Sequence, residues 1–339
     1  MYSGRRKCIL HAAACALCAR RLRQKKGQDY YVIAALTGFL AGLFLPLQTS
    51  INTNLRQRLG MPARASLANF LTAIPLLLLL TYIIDGSLSI PVSEIAKEPL
   101  WIWTGGILGA VYVTGNILLL PRLGSVSTVV LPILGQVFAA MVIDQFGLFN
   151  SIRIPVTPLR AAGVALVLSG VFIIVITGQD KEKTGRPEKN ALIWLWRGLG
   201  VLIGILSACQ TAINTQLGRI IESPQKASLI SFLTGSAALL IVLLITRAKE
   251  KGDLPGRKKT SWWMWTGGLI GAAFVLITVY IATAIGTGMA VIVSLVGMII
   301  GSMVIDSLGI LGVMKRKVGP LKIFGAVIML GGACMTYLV

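Results

Sequence analysis

Long apolar runs, broken by short polar or Gly- and Pro-bearing stretches, set the rhythm of this chain. A bilayer-spanning helix needs about 20 mainly apolar residues. Ten stretches fit: Tyr31–Leu55, Ala65–Ile84, Leu100–Leu120, Ser125–Asp144, Thr157–Thr177, Leu192–Leu217, Ala227–Thr246, Trp262–Ala284, Thr287–Asp306 and Gly319–Val339. The runs are continuous, not alternating, and Ala, Leu and Gly dominate them, which predicts helices and not a barrel. All 7 Trp fall at the starts of these stretches, where amphipathic rings settle at the headgroup level.

The polar positions inside the runs recur. Gln48-Thr-Ser-Ile-Asn52-Thr-Asn-Leu55 returns as Gln210-Thr-Ala-Ile-Asn214-Thr-Gln-Leu217, a shift of 162 positions. The same shift carries Ala65-Ser66-Leu67 onto Ala227-Ser228-Leu229, and Trp101-Ile-Trp103-Thr-Gly-Gly106 onto Trp263-Met-Trp265-Thr-Gly-Gly268. It also carries Val142-Ile143-Asp144 onto Val304-Ile305-Asp306, and Pro158 onto Pro320. A constant offset across separated blocks means a duplicated unit. Five helices per unit is an odd number, so the copies must enter the membrane in opposite senses. The expected fold is an all-α integral membrane protein of ten transmembrane helices in two inverted five-helix repeats. Residues 31–177 form the first repeat and 192–339 the second, joined by a polar linker over 178–191. Residues 1–30 read as a basic tail, disordered or not native to the mature protein.

Composition agrees with a membrane setting. Only 13% of the 339 residues are charged and 55% are hydrophobic, against roughly 25% charged in soluble domains. The net charge of +20 sits between the apolar runs. It reads as topology signal and contact with anionic headgroups, not as a nucleic-acid surface. Of the 32 Lys and Arg, 19 lie in the loops of one side, 5 on the other and 8 in the tail. The loop excess predicts a cytoplasmic location for the richer side, with both termini outside, and the tail argues the other way. Cys8, His11, Cys15 and Cys18 have zinc-like content without the flanks of a folded finger. Cys209 and Cys334 read as small apolar residues within spans. No metal or cofactor is expected.

The candidate chemistry is neutral. Gln48 and Asn52 share a helix face, as do Gln210 and Asn214. Asn116 and Gln136 add further buried amides, and Pro46 and Pro132 predict loosened backbone near them. Single amides of this kind often serve as interhelical glue, but the converging set predicts a polar substrate cavity. Asp144 and Asp306 end the fourth and ninth spans. They read as anchors or caps at the interface, with a coupling role as the functional alternative. The single His lies in the tail, and no nucleophile–His–acid set or phosphate loop is present, so no catalytic residue is expected.

Leu120-Pro121-Arg122-Leu123-Gly124, Gly135-Gln136 and Asp144-Gln-Phe-Gly-Leu-Phe149 resemble the signature of the YdcZ-type family in the drug/metabolite transporter superfamily. Gln210-Thr-Ala-Ile-Asn214, Leu217-Gly218-Arg219 and Ser231-Phe-Leu-Thr-Gly235 are similar to that family's first two helices. The resemblance spans about residues 32–339 and implies a fused two-repeat exporter of the bacterial inner membrane. Met298 stands where the first repeat has Gln136, and Ala284 where it has Arg122, so only the first copy keeps the full pattern. The first and sixth helices lack the core carboxylate of related small multidrug transporters, so that proton-exchange mechanism is not carried over. The expected function is alternating-access transport of a small solute, neutral or zwitterionic, by a monomer or homodimer. The alternatives are a membrane binding or assembly protein without a transport cycle, and a lipid-headgroup translocator.

Overall fold

Apolar side chains all round a segment, in lipid, leave the backbone no partner but itself, and helices result. A computed structural model describes residues 32–178, 190–247, 260–309, 311 and 319–337. Among these residues the elements are helical, with no strand. We label them α1 (Val32–Leu59), α2 (Pro62–Asp85), α3 (Gly105–Leu120), α4 (Thr128–Phe146), α5 (Pro158–Gly178), α6 (Asn190–Ile220), α7 (Pro224–Arg247), α8 (Gly267–Ile285), α9 (Thr287–Leu308) and α10 (Pro320–Tyr337). Seven of them are long and apolar enough to cross a membrane, whereas α3, α5 and α10 carry shorter apolar stretches. The tail with its Cys/His pattern and residues 179–189 of the linker lie outside the described residues.

Helix boundaries follow local chemistry. Pro62, Pro158, Pro224 and Pro320 each open a helix, where the missing N–H costs nothing. Gly147 and Gly309 close α4 and α9 in the left-handed conformation, at φ 64° and 66°, a conformation that Gly takes without a Cβ penalty. The tryptophan-rich runs Leu100–Trp103 and Trp262–Trp265 form matching 3-10 turns before α3 and α8. In each of these pairs the two members stand 162 positions apart. Pro46 and Pro132 both lie within stretches assigned as helix, where each lacks the N–H that would bond the carbonyl four residues back. Neighbouring hydroxyls and helices can satisfy the freed groups in such settings.

Residues 105–146 are helical throughout, yet the stretch reverses. Gly105, Gly109 and Gly115 face Asn214, Gln210 and Ile203 in turn, descending α6. Leu119 and Leu131 both flank Gly200, and Pro132 then meets Gly204. Ala139 and Ile143 join Ala208 and Ala212, ascending it again. α3 and α4 thus clasp α6 as a hairpin. In the same way α8 and α9 clasp α1, with Gly267 on Asn52, Gly271 on Gln48 and Gly297 on the Phe39 carbonyl.

The close glycine contacts between the halves come in pairs with the roles exchanged. Gly106 meets the Ser231 carbonyl, and Gly268 meets the Asn69 carbonyl. Gly204 meets the Pro132 carbonyl, and Gly42 meets the Ser294 carbonyl. Along the antiparallel pair α5 and α10, Gly170 meets Gly325 and Gly332 meets Gly163. Reciprocity of this kind is the mark of a two-fold relation between the halves. Two apolar clusters lie along it. One joins α2, α3, α7 and α8 around Phe70, Leu77, Phe232 and Leu239. The other joins α1, α4, α5, α9 and α10 around Ile133, Val167, Leu295 and Met329.

Gly170→Leu pushes a side chain into the α10 backbone and should destabilise the protein by about 1–3 kcal/mol. Gly331→Leu meets open space and serves as the matched control. Thermal unfolding in detergent should show a lowered midpoint for the first and none for the second.

Candidate functional site

Between the two apolar clusters lies a cavity whose lining is mostly apolar, with amide and hydroxyl groups set into it. Its walls are two-fold pairs: Gln48 with Gln210, Phe70 with Phe232, Gly109 with Gly271, and Tyr112 with Phe274. The cavity measures about 40 Å³, room for about three waters. The Phe70 and Phe232 rings, both in its wall, lie 4.8 Å apart between centroids. A smaller space adjoins the other end and shares Leu45, Ser207, Thr211, Phe274 and Thr278 with it. Gln136 and its counterpart Met298 both line that second space.

The six candidate amides fall into two groups. Gln48, Gln210 and Asn214 line the main cavity, and Gln136 lines the second space. The amides of Gln48 and Gln210 lean over Gly271 and Gly109, where a Cβ would collide with them. Asn52 and Asn116 line neither space. Asn52 accepts from Asn69 Nδ2 at 2.9 Å, bonding α1 to α2. Asn214 Nδ2 donates to Ser231 Oγ at 3.1 Å, bonding α6 to α7 at the equivalent place. Asn116 Nδ2 donates to the Tyr112 carbonyl at 3.1 Å. Asn69 Oδ1 and Asn214 Oδ1 are buried without a partner.

Sequence reasoning missed Tyr112 and Ser207. Gln136 Nε2 donates to Ser207 Oγ at 3.0 Å, which ties α4 to α6. Tyr112 lines the main cavity, and its carbonyl accepts from Asn116. The result is a polar network on one flank of the cavity. The other flank carries Phe274, Thr278 and Met298 at the equivalent positions. A signal existed: Tyr112 stands four residues before Asn116 and shares its helix face. In an apolar run, however, it reads as one more aromatic.

Asp144 is a correction. It was expected at the interface within reach of solvent, but it is fully buried, at 0% exposure. Arg160 Nη2 donates to its Oδ2 at 3.1 Å, and the Gly288 N–H donates to the same oxygen at 3.0 Å. Arg160 Nη1 donates to the Ile154 carbonyl at 2.9 Å. A carboxylate can be buried this way because a cation and the first turn of α9 both meet it. The Asp306 side chain lies outside the described residues.

The sequence model of one family, described as "Putative inner membrane exporter, YdcZ", matches residues 33–173 and again residues 195–335. The chain belongs to this family. Both copies of the YdcZ unit are thus present, and the family is one of membrane exporters, not of enzymes. No curated protein matches the sequence. Among the solved structures, 25 chains match. One crystal structure is similar over 91% of this chain and 97% of its own, with a TM-score of 0.62 at 13% identity. At that identity the likeness is one of fold.

Gly109→Leu would fill the space that the Gln210 amide occupies. Overpacking of this kind costs about 1–3 kcal/mol. The variant should fold with a lowered thermal midpoint in detergent, and Gly271→Leu should match it through Gln48.

Proposed function

We propose that this YdcZ-family protein is a secondary transporter that moves a small uncharged or zwitterionic solute by alternating access. The solute is held in the cavity where the two halves meet. One observation carries the reading: the cavity is walled largely by equivalent residues of both halves, and among the described residues no ionised side chain lines it. Groups on opposing halves can separate at one end of a pocket while they close at the other. Amide and hydroxyl groups, among them Gln48, Gln136, Gln210 and Ser207, offer donors and acceptors without the cost of burying charge. In this reading residues 31–177 and 192–339 are five-helix repeats inserted in opposite senses, with ten crossings in all. The shorter apolar stretches of α3, α5 and α10 then cross beside longer neighbours, and a bilayer can thin locally to match them. The basic loops face the cytoplasm of a bacterial cell and its anionic lipid headgroups. Asp144 fits an anchoring role, since the α9 N-terminus and Arg160 hold it. A coupling role would need both contacts to break.

Protein reconstituted in liposomes should show flux of a subset of solutes in a panel of amino acids, amides and polyols. Gln48→Ala, Gln136→Ala and Gln210→Ala should each lower that flux about tenfold, the effect of losing one buried hydrogen bond to the solute. If all three kept full flux, the cavity would not be the transport site.

A further inference from the structure

The second space, beside the main cavity, measures about 20 Å³, room for about one or two water-sized groups. Its polar lining comes from Gln136, Ser207, Thr211, Thr278 and Ser294. Four of these five are already engaged with the protein. Gln136 Nε2 donates to Ser207 Oγ at 3.0 Å. The Thr211 and Thr278 hydroxyls bond back to the Ser207 and Phe274 carbonyls of their own helices, at 3.1 and 2.9 Å. Back-bonding of this kind is how a hydroxyl inside a helix is commonly satisfied. Ser294 departs from it. The residue is 4% exposed, and its Oγ has no hydrogen-bond partner. An unpaired buried hydroxyl weakens a fold, and it calls for an explanation.

The internal repeat shows how unusual its place is. Three wall pairs at the shift of 162 positions have diverged in one sense: Tyr112 and Phe274, Gln136 and Met298, Ser207 and Leu45. In each pair the polar member stands on α3, α4 or α6, and the apolar member on α8, α9 or α1. Ser294 runs against that trend. It is a hydroxyl on the apolar flank, and its counterpart on the polar flank is Pro132, whose side chain cannot hydrogen-bond. Its companions from α9 in the lining are Val291, Leu295 and Met298. A lone hydroxyl is thus set among hydrocarbon, in the space that Gln48 and Gln210 do not line.

We propose that Ser294 is a specificity-determining residue, which binds a hydroxyl at the tail of the solute. The inference rests on the cavity reading above and names the substrate class of that same site. The head of the solute lies in the main cavity. There Asn69 and Asn214, both in the wall, each hold an amide oxygen without a partner. Such oxygens only accept, so the head brings N–H donors. A carboxamide does so, and its own oxygen accepts from the Gln48 or Gln210 amide. Leu45 and Phe274 line both spaces and flank a short hydrocarbon chain between head and tail. The second space is too small for another carboxamide or a ring, and it admits a hydroxyl. The class is a short aliphatic amide with a terminal hydroxyl.

The test uses γ-hydroxybutyramide and valeramide, which share one shape and differ only in a hydroxyl against a methyl. Binding of each to the full chain in detergent is read from the rise of the thermal midpoint with solute concentration. The parent should bind γ-hydroxybutyramide about tenfold more tightly than valeramide. Ser294→Ala should abolish that preference by weakening the hydroxylated amide alone. The midpoint of the empty variant should hold or rise, because the deleted hydroxyl had no bond to lose. Gln210→Ala should weaken both amides alike. A preference that survives Ser294→Ala, or an empty variant whose midpoint falls by several degrees, overturns the role of Ser294 and leaves the cavity reading intact. A parent that binds neither amide overturns the substrate class. Equal binding by the parent and Gln210→Ala overturns the cavity reading and the inference together.

Discussion

Close approach of backbone to backbone across the two halves is the constraint on which the rest of this structure depends. In lipid, apolar side chains gain nothing by leaving an equally apolar solvent, so helices associate through packing and buried polar contacts. Gly42, Gly106, Gly135, Gly204, Gly268 and Gly297 each meet a main-chain carbonyl of a helix in the other half. Four of those helices, α1, α6, α3 and α8, carry the cavity walls. The glycines therefore fix where the polar side chains come together.

The cavity follows from that geometry. Gln48 and Gln210 find room because the helices facing them carry Gly271 and Gly109. The flanking apolar clusters keep the space small and hold the amides in place. The duplication makes the walls alike, and later divergence makes them differ. Tyr112 and Gln136 give one flank hydrogen-bonding reach, and Phe274 and Met298 give the other an apolar face. A solute bound here would meet a polar and an apolar side, with no charge on either among the described residues.

Much of the fold was legible because the repeat shift and the apolar runs are long-range signals that local errors cannot erase. The helix starts moved outward to the prolines, since Pro62 and Pro224 open helices ahead of the purely apolar runs. The site was legible in part. Gln48, Gln136, Gln210 and Asn214 reach the two spaces, whereas Asn52 bonds Asn69 of the neighbouring helix and Asn116 bonds back to its own helix, a choice of rotamer that spacing alone cannot reveal. Asp144 was misplaced because its partners, Arg160 and the Gly288 N–H, come from the first turn of α5 and from the other half.

The most direct test is the sidedness of two equivalent positions. Ser87 follows α2, and Lys249, at the repeat shift, follows α7. Single cysteines at these positions can be probed with an impermeant maleimide in vesicles of known orientation. The account predicts that Ser87→Cys and Lys249→Cys label from opposite faces of the membrane. Labelling of both from the same face would contradict it.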